Sequence, residues 1–283
     1  MKLLTSPATK AATLLVLPLL AIAGTLEQGD VREVSADSAL LPLKLSGSLE
    51  VAGLQFDLAY PSALATIGQP TVSSAAASHQ AQSGQISAGV LRVVVYSTSS
   101  ATLPQDLILN LPIVLGAAKV DPGPLMVLSN IRFTDAQGNG IAATSRIGAV
   151  TAWKRTHFTT TELNDPTVSG DRGDPDDDGM ENLMELLSGA DPKAADSANR
   201  QPLVNRQHDA TTGEPYMVLR WRKLKDLEGL QPRVEMGTEL ANWPMLLPSI
   251  PSGVEDETTI EMQAKVQMEG PERVFLRLTV QRQ

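Results

Sequence analysis

The sequence predicts an all-β protein with a short non-β unit set into it. Three observations carry this. Apolar and polar residues alternate along several short segments, turn residues separate those segments, and two runs are almost continuously apolar. With 283 residues, about 260 of them after a leader, the chain has room for roughly two domains.

The leader comes first. Lys2 and Lys10 give a positive start, Ala11 to Ala23 an apolar stretch, and Ala21-Ile22-Ala23 a small-x-small cleavage site. Residues 1–23 are therefore expected to be a signal peptide, with the mature chain starting near Gly24. The apolar run is shorter than the roughly 20 residues of a spanning helix. A retained membrane anchor is the alternative, and no later segment is long enough to span. The expected location is secreted or cell-surface.

A β-sandwich is expected over 28–152. Leu41, Leu43 and Leu45 alternate with Pro42, Lys44 and Ser46. Leu54, Phe56, Leu58 and Tyr60 alternate with Gln55, Asp57 and Ala59. Val90 to Tyr96 and Leu107 to Leu115 read as strands covered on both sides. Asp121-Pro-Gly-Pro124 and Asp135-Ala-Gln-Gly-Asn-Gly140 read as turns, and the Ser/Ala/Gln-rich stretch 73–89 as a surface loop. Short strands at this spacing suit two packed sheets.

A linker is expected over 153–173, with the breaker cluster 164–170 inside it. The next twelve residues, Asp174-Pro-Asp-Asp-Asp-Gly-Met-Glu-Asn-Leu-Met-Glu185, fill the template D-x-D-x-D-G-x-x-N-x-x-E without a gap. Calcium takes oxygen ligands in a roughly pentagonal bipyramid. Asp174, Asp176 and Asp178 would each give a side-chain oxygen, Met180 its carbonyl, Asn182 a contact often made through water, and Glu185 both carboxylate oxygens. Gly179 allows the sharp turn at position six. A solvated acidic linker would not need Gly, Asn and Glu at those offsets. Glu181 to Ser188 reads as a short helix stopped by Gly189 and Pro192. The expected unit, 174–196, is a loop and helix with no entering helix.

This unit resembles the calcium repeats of dockerins and of thrombospondin type 3-like segments in secreted bacterial proteins. Dockerins carry two repeats. Here there is one clear copy, with Asp191 and Asp196 as candidates for a partial second site. The first domain resembles a cohesin, a jelly-roll β-sandwich. Val51-Ala-Gly-Leu-Gln-Phe-Asp-Leu-Ala-Tyr-Pro61, Leu64 to Gly68, Gly89 to Tyr96, Asp106 to Leu115 and Ile131 to Asn139 carry that likeness. It implies a module that recognises another extracellular protein.

A small C-terminal β domain is expected over 202–283. Met217, Leu219 and Trp221 alternate with Val218, Arg220 and Arg222, Ile260, Met262, Ala264, Val266 and Met268 alternate with Glu261, Gln263, Lys265 and Gln267, and Leu276, Leu278 and Val280 form a last strand. Trp243 reads as core or hairpin packing. The segment is similar to small β modules that follow Asp-rich calcium repeats in exported bacterial surface proteins.

Charge and composition exclude several functions. The net charge is −9, and residues 161–200 hold eleven acids against three bases. So local a concentration points to a cation, and nucleic acid would be repelled. Zero cysteines exclude disulfides, thiolate metal sites, cysteine nucleophiles and a thioether lipid anchor. Stability then rests on the core and on calcium. His79, His157 and His208 lie far apart in loop-like or linker surroundings, and no Ser sits in a nucleophile elbow, so no triad is expected at His208-Asp209. The dense acids are those of the loop and not a glycosidase pair. The expected function is a non-enzymatic surface or scaffold protein binding Ca2+ and a protein partner. The alternative is a carbohydrate-binding accessory protein of extracellular polysaccharide degradation.

Overall fold

The computed structural model describes residues 23–195, 200–268 and 273–282. The signal segment, Ala23 excepted, and Asp196 lie outside the described residues.

Twelve strands build the first pair of sheets: β1 Gly24–Gln28, β2 Arg32–Ser35, β3 Ser38–Ser46, β4 Gly53–Ala59, β5 Ala65–Ile67, β6 Thr71–Val72, β7 His79–Ser87, β8 Val90–Ser97, β9 Asp106–Leu115, β10 Val127–Thr134, β11 Gly140–Ile141 and β12 Ala143–Ile147. One sheet runs β12-β1-β3-β9-β5, with β2 also on β3 and β6 also on β9; the other runs β11-β10-β4-β8-β7. The chain crosses between sheets at most connections. The β1–β12 pair is parallel, which joins the two ends of this unit.

The two sheets face each other across one core. Leu41, Leu43 and Leu45 of β3 and Leu109 and Leu111 of β9 meet Leu54, Phe56 and Leu58 of β4 and Val93 of β8. Burying each such side chain stabilises by about 1.5–3 kcal/mol. Both apolar runs differ from expectation. In β8, Leu91, Val93 and Val95 are buried while Val94 is exposed, and in β9 Val114 is exposed. Each therefore has one covered face. A bulge opposite Leu43 and Lys44 is what lets both Ile108 and Leu109 point inward.

The expected loop at 73–89 contains a strand instead. The edge strand β7 pairs with β8 from His79↔Ser97 to Ser87↔Val90. Its small polar residues suit an edge open to solvent, so no apolar alternation marked it. Gly89, at φ +70°, makes the tight turn into β8.

Residues 153–173 are largely helical. Helices α1 Ala149–His157, α2 Thr160–Leu163 and α3 Pro166–Ser169 precede the acidic loop, and α4 Asn182–Ser188 follows it. A remote carboxylate starts α1. The Val150 and Thr151 N–H groups donate to Asp30 at 3.1 and 2.7 Å, satisfying donors that a helix start leaves open. A Cβ at residue 148 would meet that carboxylate at 2.6 Å, so glycine is needed there. Helix α2 carries a capping box between Thr159 and Glu162. Lys193 and the Thr159 donors hold the Glu162 carboxyl down to about 2.

The remaining strands are β13 Leu203–His208, β14 Pro215–Leu224, β15 Leu230–Gly237, β16 Met245–Leu247, β17 Ile250–Glu255, β18 Thr259–Gln267 and β19 Phe275–Arg282. They form sheets β13-β14-β18-β17 and β16-β15-β19. Their core takes in Leu219, Trp221, Leu230, Val234 and Ala264, and also Val150 of α1 and Leu183, Leu186 and Leu187 of α4. The helical segment is thus part of this second core. Trp243 lies outside it, with Arg277 stacked 4.3 Å over its ring.

Candidate metal centre

The acidic loop is shaped by its own backbone. Asp178 N–H donates to Asp174 Oδ1 at 3.2 Å and to Asp176 Oδ1 at 3.3 Å, Gly179 N–H to Asp174 Oδ2 at 3.0 Å, and Met180 N–H to Asp178 Oδ1 at 3.0 Å. Asp177 at φ +58° and Gly179 at φ +89° turn the chain. The result brings carboxylate oxygens of Asp174, Asp176 and Asp178 within 4.8 Å of one another. Asp177 points into solvent.

Such crowding costs electrostatic energy. Partial burial, then the charge of Asp178 and the nearby Asp174, push the Asp176 carboxyl above its usual range, against the pull of the Asp178 N–H. Asp176 Oδ2 is buried and has no hydrogen-bond partner among the described residues. The donors are all oxygen, the set a hard cation takes.

The other template residues are placed differently. Glu185 is fully buried on α4 and is not one of the three converging carboxylates. The Met180 side chain is buried against Ser188, whose hydroxyl lies 3.7 Å from the thioether sulfur. Asn182, also fully buried, donates from Nδ2 to the carbonyls of Val168 and Gly170 at 2.8 and 2.7 Å. Its side-chain amide therefore ties the loop's exit to the turn before the loop. Backbone bonds do the same. Asn182 N–H donates to Gly173 O and Leu183 N–H to Asp171 O, at 2.8 and 3.0 Å. Only one turn of helix, α3, enters the loop.

Asp171, three residues before the loop, belongs to a second cluster that the sequence does not announce. Arg282 of β19 reaches Asp121 at 2.8 Å and pairs with Asp171, and also donates to the carbonyl of Val31 at 3.0 Å. Lys154 of α1, only 2 % exposed, lies 3.0 Å from Asp171 and 3.5 Å from Asp121. Burial alone would raise the Asp121 carboxyl. Arg282 and Lys154, with the Gly123 N–H, overcome this and hold it at about 2. Asp171 is lowered in the same way, burial again opposing Arg282 and Lys154. The cluster borders a cleft of about 1250 Å³ that also touches Gly179, Met180 and Glu181.

No catalytic constellation forms among the described residues. His79 is not in a loop: it is buried at the start of β7, between Ser78 Oγ at 3.1 Å and Ala101 O at 3.0 Å. His157 pairs with Asp191 at 3.5 Å. Asp209 takes the N–H groups of Thr211 and Thr212, both at 2.9 Å, and so shapes a turn. On the outer face of the second sheet Asp57 is clamped by Arg92 at 2.7 and 2.8 Å and by Asn130 at 2.6 Å. Arg92 first, and Asn130 after it, draw that carboxyl below its usual range against burial. Asn130 reaches it from a bulge between Ser129 and Arg132, at φ +49°. Of the aromatics in the first sandwich, Phe56 and Phe133 are buried and Tyr60 is packed on the core, while Tyr96 is half-buried on the outer face.

No protein-family model matches this sequence, and no curated protein does. Solved structures do. A non-cellulosomal cohesin from the hyperthermophilic archaeon Archaeoglobus fulgidus matches 44% of this chain and 86% of its own, at 15% identity and a TM-score of 0.35. The cohesin–dockerin complex Coh-OlpC-Doc435 from Clostridium thermocellum matches 44% and 89%, at 13% identity and 0.36. A cohesin module of a family 33 glycoside hydrolase from Clostridium perfringens matches 44% and 98%, at 14% identity and 0.33. Among the described residues no helix is long and apolar enough to cross a membrane.

Proposed function

We propose that this chain is an exported, non-enzymatic scaffold or surface protein. It binds calcium at 174–185 and another protein through its first, cohesin-like sandwich. The observation that carries the reading is the convergence of Asp174, Asp176 and Asp178 on a loop already folded by its own N–H groups. Bound calcium would offset their mutual repulsion and fix the turn. Those three carboxylates, the Met180 carbonyl, Asn182 and Glu185 would hold the ion. Extracellular modules of this kind bind at about 10⁻⁴ to 10⁻³ M.

The proposed units are a leader at 1–23, the sandwich at 28–152, a connector at 153–173, the calcium unit at 174–196 and a β module at 202–283. For the partner, the outward face of the second sheet is the supporting surface. Register places Val127, Ala59 and Val90 in one row and Gln55, Val94 and Gln82 in another. Val94 and Val127 are exposed there beside Tyr96. Mixed apolar and polar surface of this sort suits protein recognition.

Immobilised protein should retain a defined partner from the source organism's exported proteins, and Val94→Glu should release it. Retention unchanged by Val94→Glu would move the interface elsewhere. Hydrolytic turnover lost on His208→Ala would overturn the non-enzymatic reading. Hydrogen exchange should slow over 174–188 when calcium is added, and no slowing would count against the metal.

A further inference from the structure

We propose that the Arg282 cluster is a latch that couples calcium binding to the docking of the C-terminal strand on the first sandwich. The inference rests on the calcium reading above. It starts from where the four charges come from. Asp121 follows β9 of the first sandwich, Lys154 lies on α1, Asp171 leads into the acidic loop, and Arg282 is near the end of β19. Arg282 also donates to Val31 O, which follows β1. One side chain at the C-terminal end therefore holds the first sandwich and the loop's entry together.

The connection to the loop is direct. The Asp171 carboxylate is held by Arg282 and Lys154, while its carbonyl accepts the Leu183 N–H. Two residues on, Gly173 O accepts the Asn182 N–H. The latch thus fixes one side of the loop's base, and α4 fixes the other. A loop whose base is already in place has less to order when the ion arrives, which raises affinity. Linkage makes the effect reciprocal: calcium on the loop must tighten the latch by the same factor.

Arg282 is also the latch's weakest point. Four charges meet there, two of each sign, and they are mostly withdrawn from solvent. Replacing Arg282 leaves Asp121 and Asp171 facing one lysine, so the two acids repel and the segment at 171–173 loosens.

Calorimetric calcium titration of the wild-type protein, Arg282→Met and Asp121→Asn tests this, with small-angle scattering in calcium and in chelator. Asp121→Asn removes one carboxylate charge from the latch and leaves the Arg282 contacts with Asp171 and with Val31 O in place. Arg282→Met should weaken calcium binding by at least about fivefold, and Asp121→Asn should shift it the same way by less. The wild-type radius of gyration should fall when calcium is added, and that of Arg282→Met should stay larger. Circular dichroism checks folding. If Arg282→Met does not fold, the affinity of folded Asp121→Asn decides. Calcium affinities within about twofold of wild type in folded variants would overturn the coupling. No calcium heat in the wild type would instead overturn the calcium reading, and the coupling with it. Scattering in chelator would then still report whether Arg282 holds the units together.

Discussion

Replacing Lys154 with methionine removes one of two cations from the cluster beside the acidic loop. Lys154 is 2 % exposed and sits 3.0 Å from Asp171 and 3.5 Å from Asp121. Methionine keeps the length and apolar stem of the side chain, so packing changes little. What remains is two acids on Arg282 alone. Breaking a buried pair by removing one partner costs about 3–5 kcal/mol, which in a protein of this size lowers Tm by roughly 10 °C. Urea unfolding can follow it through the tryptophans, since Trp153 adjoins Lys154 and Trp221 is buried in the second core. The midpoint should fall with an unchanged slope. A companion measurement uses pH. Asp121 is held at about 2, against an ordinary 3.8. Its folded value is depressed, so its contribution is fully present above about pH 4 and is lost as pH falls through 2. That contribution is about 2 kcal/mol. A Lys154→Met loss below about 1 kcal/mol would mean that solvent screens these charges as it does surface pairs, and the network argument would fall.

Other outcomes follow from the same structure. Asp30→Ala should uncap α1 and cost about 1–2 kcal/mol, seen as a lower thermal midpoint. Phe56→Ala should cost about 3–5 kcal/mol by opening a cavity between the facing sheets, and denaturant unfolding measures it. Gly179→Val, at φ +89°, should weaken calcium binding in calorimetry because a β-branched residue resists that turn.

Legibility in the sequence followed the range of the interactions. Leu54, Phe56 and Leu58 announced their strand because alternation is local and one face is buried. The acidic loop was equally local: twelve consecutive residues carry its template and its turn. Strand β7 was hidden because an edge strand of Ser, Gln and Gly lacks that alternation, and its pairing with β8 supplies the order. The helices before the loop were hidden for a related reason. Helix α1 is started by Asp30, about 120 residues away, and the segment that holds it read as the end of a sandwich and a linker. Val150, Trp153 and Lys154 sit on it at helical spacing, which was the available signal. Asn182 fitted its template position, but its bonds to Val168 and Gly170 depend on how the preceding turn folds. The Arg282–Asp121–Asp171–Lys154 cluster joins three distant segments, so no window of sequence contains it.

Calorimetric titration with calcium tests the central claim most directly, on wild type beside Asp177→Ala, Asp178→Ala and Glu185→Ala. Asp177 is exposed and is not among the three converging carboxylates, whereas Asp178 is one of them and Glu185 closes the template. One site should appear in the wild type at about 10⁻⁴ to 10⁻³ M. At a hundredfold excess over Kd it should add about 2.7 kcal/mol to stability. Asp178→Ala and Glu185→Ala should abolish the heat, and Asp177→Ala should weaken binding only through lost charge. An absence of heat at millimolar calcium, or equal losses from Asp177→Ala and Glu185→Ala, would contradict the account.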